Sequence, residues 1–243
     1  MKALRTKLGT YAIALLLSCG FSSPLMAGSS DFTGIYGAVF GSAGGAEIDG
    51  THTARDTTAG AGDVSQGQVG GIFPVGGYEI GFNLPVGDNL FIGVGHSWVR
   101  GGAVTLARGT DNNEQKVNDP QPGAGQGEQN AQGNFHLTAK GLQSIYIMPA
   151  VSVFDNAAIY AKFGKTIADL ELHGDATGAP SNLTGDTWGV GTIAMSPSGL
   201  FVKTEGSFTS FKDIQIVGVG GSNSLVEGNP DVVQGTVAIG FKF

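Results

Sequence analysis

The sequence predicts an all-β fold, an eight-stranded antiparallel up-and-down transmembrane β-barrel, on three observations. First, hydrophobic residues make up 41% of the 243 and charged residues only 14%. Yet beyond the first thirty positions no run approaches the ~20 apolar residues of a membrane helix. The 42 glycines disfavour helix interiors, and they lack the period of three that collagen requires. Second, several segments alternate apolar and polar residues with period two, the signature of strands that face two environments. Third, short and long connections alternate in strict order along the chain, as they do when one end of a barrel carries tight turns and the other carries surface loops.

Met1 to Ala27 reads as a signal peptide, leaving residues 28–243 as the barrel domain. Lys2, Arg5 and Lys7 form the basic region, Leu8 to Leu17 the apolar region, and Ser22-Ser23-Pro24-Leu25-Met26-Ala27 the cleavage region. The single cysteine, Cys19, follows Leu16-Leu17-Ser18 as in a lipobox, so lipidation there is the alternative to cleavage after Ala27. With cleavage after Ala27 the mature chain has no cysteine and no disulfide. It also loses three basic residues and no acidic one, so the net charge falls from −7 to −10. An acidic chain of this kind argues against nucleic acid as a partner.

The strands follow in order. The first runs from about Phe32 to Ser42. Ile72 to Leu84 and Leu90 to Leu106 form the next pair, with Tyr78, Ile80, Phe82 and Leu84 opposite Glu79, Gly81 and Asn83. Gly141 to Val153 and Ala158 to Leu172 form another. Thr187 to Met195, with Trp188, Val190, Thr192 and Ala194 on one face, leads through Ser196-Pro197-Ser198-Gly199 into Leu200 to Phe211. There Lys203, Glu205, Ser207 and Thr209 share a face. The last strand, Thr236 to Phe243, sets Val237, Ile239, Phe241 and Phe243 against Ala238, Gly240 and Lys242. Short connections fall at Pro85 to Asn89, Phe154 to Asn156 and Ser196 to Gly199. Long polar ones fall at Ala43 to Gln68, Arg108 to Asn134, Gly174 to Gly185 and Asp213 to Pro230. In hydrocarbon an unpaired backbone group costs several kcal/mol, so the first strand must pair with the eighth.

With the apolar faces toward lipid, Glu79, Lys162, Lys203, Glu205 and Lys242 point into the lumen. Charges in a narrow interior must pair, so these five are expected to form a structural network; a polar path for solutes is the alternative. Trp98 and Trp188 fall near the outer strand ends, at the level of an aromatic girdle. The loops carry many acids, among them Glu47, Asp49, Asp111, Glu114 and Asp186, and Asp111-Asn112-Asn113-Glu114 lacks the spacing of a calcium loop.

The remaining motifs carry no chemistry. Phe163-Gly164-Lys165-Thr166 ends like a phosphate loop, but Ile159 stands where the first glycine belongs. Gly123-Ala124-Gly125-Gln126-Gly127 lacks the strand context of a dinucleotide site. His52, His96, His136 and His173 have no metal-ligand spacing, and alternation sends His96 and Ser97 to opposite faces. No metal and no cofactor are expected, and no catalytic residues.

Phe32-Thr33-Gly34-Ile35-Tyr36-Gly37 and the hairpin containing Trp188-Gly189-Val190-Gly191, Ser196-Pro197-Ser198-Gly199 and Val202-Lys203-Thr204-Glu205 resemble strands of small outer-membrane barrels of the OmpA/OmpX-like and porin-like surface antigen group. The resemblance implies an inward glutamate at Glu205 and, at Phe243, the residue recognised by the barrel-assembly machinery. It departs after the glutamate, where Gly206 and Ser207 replace an aromatic and a basic residue. The expected location is the bacterial outer membrane, with its lipid and lipopolysaccharide as surroundings. The expected role is structural or surface-interacting, through four acidic loops on a side-chain-filled barrel. The alternatives are a narrow passive channel for small solutes, a lipid A-modifying barrel enzyme, and a soluble lipocalin-like barrel with its apolar faces inside.

Overall fold

The computed structural model describes residues 29–53, 64–100, 104–109, 135–174, 178–217 and 225–243. The predicted signal segment with Cys19, and the segments Asp111 to Glu114 and Gly123 to Gly127, lie outside the described residues. So do the side chains of His52, His136 and His173.

A 3-10 turn, Ser29–Phe32, precedes ten strand segments: β1 (Gly34–Thr53), β2 (Val64–Pro85), β3 (Leu90–Arg100), β4 (Val104–Gly109), β5 (Phe135–Phe154), β6 (Ala157–Gly174), β7 (Asn182–Met195), β8 (Leu200–Phe211), β9 (Ile214–Val217) and β10 (Leu225–Lys242). β3 with β4, and β8 with β9, each continue one strand of an eight-stranded cylinder, because β4 stays on β5 and β9 stays on β10. All pairings are antiparallel between chain neighbours, and β1 closes on β10 from Tyr36↔Lys242 to Thr53↔Leu225. Register followed once round from Gly37, through Ile80, His96, Ile145, Lys165, Asp186, Ser210 and Asp231, returns to β1 at Glu47. That stagger of ten residues over eight strands, at ~3.3 Å per residue and ~4.8 Å between strands, tilts the strands by about 40°.

Glycine fills a packing role rather than a turn role in this wall. Tyr36 lies across Gly81, Tyr146 across Gly95, Tyr160 across Gly191 and Phe201 across Gly240, each a directly opposed cross-strand pair. A narrow lumen accepts a ring from one strand only where the neighbour contributes no side chain. This is one reason the composition is so rich in glycine.

The strands are longer than the alternation predicts. β1, β2 and β5 have 20, 22 and 20 residues, whereas about 9–11 tilted residues cross a bilayer. The expected loops Ala43 to Gln68 and Asp213 to Pro230 are therefore largely strand, with Glu47 and Asp49 on β1; Asp186 likewise lies on β7. The first strand begins at Gly34 rather than Phe32.

Two apolar clusters fill the cylinder. One, at the end with the tight turns, contains Phe32, Tyr36, Phe91, Tyr146, Met148, Tyr160, Met195 and Phe201. The other, toward the opposite end, contains Phe73, Leu137, Leu142, Leu170, Leu183, Phe211, Ile214 and Ile216. A bulge between Lys140 and Gln143, with Gly141 at φ 58°, shifts the phase of β5 so that Leu137, Ala139 and Leu142 are all buried. Above this level β9–β10–β1–β2 continue as one ribbon and β4–β5–β6 as another, with the second cluster between them.

Candidate functional site: a charged layer between two apolar plugs

Midway along the lumen, Glu79 on β2, Lys162 on β6, and Lys203 and Glu205 on β8 are all buried. Lys162 Nζ lies 2.7 Å from Glu205 Oε1, and Lys203 pairs with Glu79 across the lumen. Gly189 and Gly191 oppose Lys162 and Glu205 on the intervening β7, so the pair spans that strand over space no side chain occupies. Tyrosines donate to the second oxygen of each carboxylate. Tyr160 donates to Glu205 Oε2 at 3.0 Å, and Tyr146 to Glu79 Oε2 at 3.2 Å. Tyr36 sits 3.0 Å from the Tyr146 hydroxyl; because that proton is committed to Glu79, Tyr36 is the donor. The Lys162 ammonium also stands 4.5 Å from the Tyr146 ring centroid, a favourable cation–π distance. Two cations and two anions leave the layer neutral, as burial demands.

Lys242 does not join them. The strand phase sends it inward, but so near the end of β10 that its ammonium donates to the Asp31 carbonyl at 2.7 Å, at the mouth. The expected five-charge network is four charges and a separate tether. Sequence reasoning also missed the tyrosines, although their inward phase opposite glycines was the available signal.

Above the charges runs a ladder of inward hydroxyls. Ser144, Thr166, Thr187 and Thr209, on four consecutive walls, are 2.6, 2.6 and 2.8 Å apart in turn. With the charged layer they line a polar cavity of about 50 Å³, room for about three or four waters. The upper cluster lies above it and the lower cluster below.

The outer wall has the opposite chemistry. Ile35, Val39, Ile80, Phe82, Ile92, Ile145, Ile147, Val190, Val202, Val237, Ile239 and Phe241 are all exposed. Along β10 and the residue after it this belt runs from Val233 to Phe243, ten residue steps that rise about 25 Å at the strand tilt. Only a hydrocarbon surround accommodates such a belt around a charged interior. The protein is an outer-membrane-type β-barrel. Within the belt every neighbouring strand pair is bonded, and the ribbons separate only above it, where water can satisfy their edges.

The tryptophans mark the upper rim of the barrel's belt. Trp98 faces outward against Tyr78 (centroids 5.1 Å) and His96 (3.6 Å), and Trp188 against Phe208 (5.6 Å). Register places the two Trp at nearly the same height. Just above them the outer face turns polar, with ion pairs between Lys165 and Asp186 and between Lys140 and Glu171. The inner face turns apolar at the same level. The barrel thus has two storeys, apolar on the outside below and polar on the outside above. His96 and Ser97 lie on opposite faces of β3, Ser97 lining the polar cavity. Among the described residues no group of three His, Cys, Asp or Glu side chains is placed to hold a metal ion.

No protein-family model matches the chain, and no curated protein sequence does. Similar solved structures include the attachment invasion locus protein Ail of Yersinia pestis (9% identity, TM-score 0.35, 86% of this chain and 99% of Ail). They also include the outer membrane protein OprG of Pseudomonas aeruginosa (11%, 0.41, 87% and 96%) and the outer membrane protease OmpT of Escherichia coli (11%, 0.39, 86% and 97%).

Proposed function

We propose that the protein is a surface-interaction barrel, a rigid outer-membrane stalk that holds a polar head above the lipid. The observation that carries this reading is the occupied lumen: a neutral charged layer flanked by an apolar cluster on each side. Strands twice the length needed to cross the bilayer raise the head by more than a headgroup layer. Among the described residues its outer face carries Glu47, Asp169, Glu171, Asp186, Asp213, Glu227 and Asp231 against Arg100, Lys140, Lys165 and Lys212. That excess of negative charge favours a partner with a basic surface and disfavours acidic ones. The role is non-catalytic in this reading, and the lipid and lipopolysaccharide of the outer membrane are its surroundings.

Two measurements on protein extracted from outer membranes test the proposal. In planar bilayers at 1 M salt, no steady conductance is expected. Titration with oligolysine is expected to give binding that weakens steeply with added salt, whereas oligoglutamate gives none. Steady single-channel openings that vanish in Lys203→Met would instead favour the passive-channel reading.

A further inference from the structure

We propose that the turn Ser29–Phe32 is a displaceable stopper in the periplasmic mouth, and that its release admits water to the lower lumen as far as the charged layer. The inference goes beyond the surface role and does not depend on it.

Among the described residues of the lower apolar cluster, Phe32 alone comes from outside the barrel strands. Its ring is fully buried and stacks on Phe91, with centroids 5.1 Å apart and planes 7° from parallel. The backbone on either side is held by a small set of bonds. Ser29 N–H donates to the Asp88 carbonyl at 2.6 Å and its hydroxyl to the Gly87 carbonyl at 2.5 Å. Asn83 Nδ2 donates to the Phe32 carbonyl at 2.9 Å, and Lys242 to that of Asp31. The turn is therefore fastened to β2, the β2–β3 turn and β10, but to no ladder.

The spaces around it are arranged as an entrance. A mouth cavity of about 390 Å³ is lined by Asp31, Met195, Ser198 and Lys242 among others. Further in, a void of about 10 Å³ is lined by Asn83, Ile193, Met195, Lys203 and Lys242. Met195 and Lys242 wall both, and Lys203 also lines the polar cavity beyond. Asn83 and Lys242, which line the inner void, are two of the groups that hold the turn. Displacing it frees both and withdraws the Phe32 ring from the lower cluster. A four-residue element with no ladder opens far more readily than the strands around it. The upper cluster stays closed, so the stopper governs access from below and not passage across the membrane.

The mature chain cleaved after Ala27 has no cysteine, so single thiols report cleanly. Ile193→Cys, in protein extracted from outer membranes, is treated with a charged methanethiosulfonate reagent, alone and combined with Phe32→Ala. We expect labelling on the order of 100-fold faster with Phe32→Ala, while Leu137→Cys in the upper cluster stays protected in both backgrounds. Equal Ile193→Cys rates in the two backgrounds, slow or fast, would overturn the proposal. Faster labelling of Leu137→Cys as well would also overturn it, because the change would then be general loosening. Should Phe32→Ala fail to assemble, Ser29→Ala removes only the bond to Gly87. It is expected to raise the Ile193→Cys rate by a smaller factor, and no change would count against the stopper.

Discussion

Replacing Glu205 by Gln keeps the size of the side chain and removes its charge, leaving the Lys162 ammonium buried without its partner. At 2.7 Å and an effective dielectric of ~20, the lost attraction is about 6 kcal/mol. Part of it is recovered, because the glutamine oxygen still accepts from Tyr160 and Lys162 keeps its position near the Tyr146 ring. The net cost expected for breaking one buried pair is about 3–5 kcal/mol. Adding Lys162→Met removes the orphaned cation, and the double variant should return to within about 1–2 kcal/mol of the parent. Equilibrium unfolding in guanidinium from detergent, followed by gel mobility and Trp fluorescence, measures all four corners of the cycle. An additive cycle, or a Glu205→Gln cost below about 1 kcal/mol, would refute the reasoning: the layer would then be hydrated well enough that its charges do not depend on one another.

A Cβ at Gly95 would stand 2.5 Å from the Tyr146 ring, so Gly95→Ala should displace that ring from Glu79 and cost about 1–3 kcal/mol in the same unfolding assay. An unchanged midpoint would mean the tyrosine is free to move. Phe243 is exposed, its ring centroid 5.5 Å from that of Phe241. Phe243→Ala should therefore leave in vitro refolding yield and stability unchanged while lowering the amount assembled in the outer membrane of cells. Equal losses in both settings would assign the residue a packing role instead of a part in recognition by the assembly machinery.

The lower storey was legible because lipid-facing strands must carry apolar residues at every second position. Tyr78 to Leu84 and Val237 to Phe243 fix both the strands and their phase. The upper storey was not legible, since its outer face meets water and its inner face is apolar. In Ala43-Gly44-Gly45-Ala46-Glu47-Ile48-Asp49-Gly50 the lipid-type alternation disappears, and small and polar residues resemble a loop although β1 continues through them. Glu79, Lys162, Lys203 and Glu205 were readable as inward charges from phase alone. Which cation meets which anion depends on the stagger between strands, and no single strand's pattern encodes that. Lys242 has the right phase at the wrong height. The stopper was hidden because Phe32 adjoins the first strand and shares its aromatic character.

Trp98 and Trp188 are the only tryptophans of the chain, and both lie at the upper rim of the belt, so the natural protein carries its own depth probes. The most direct measurement of the barrel's two storeys is quenching of their fluorescence by lipids brominated at successive acyl positions. Strongest quenching is expected from bromines nearest the headgroups, with a steady decline toward the bilayer centre and little quenching by aqueous acrylamide. Quenching by acrylamide with no response to any brominated lipid would put these walls in water, and the apolar belt could not then be the surface that meets the membrane.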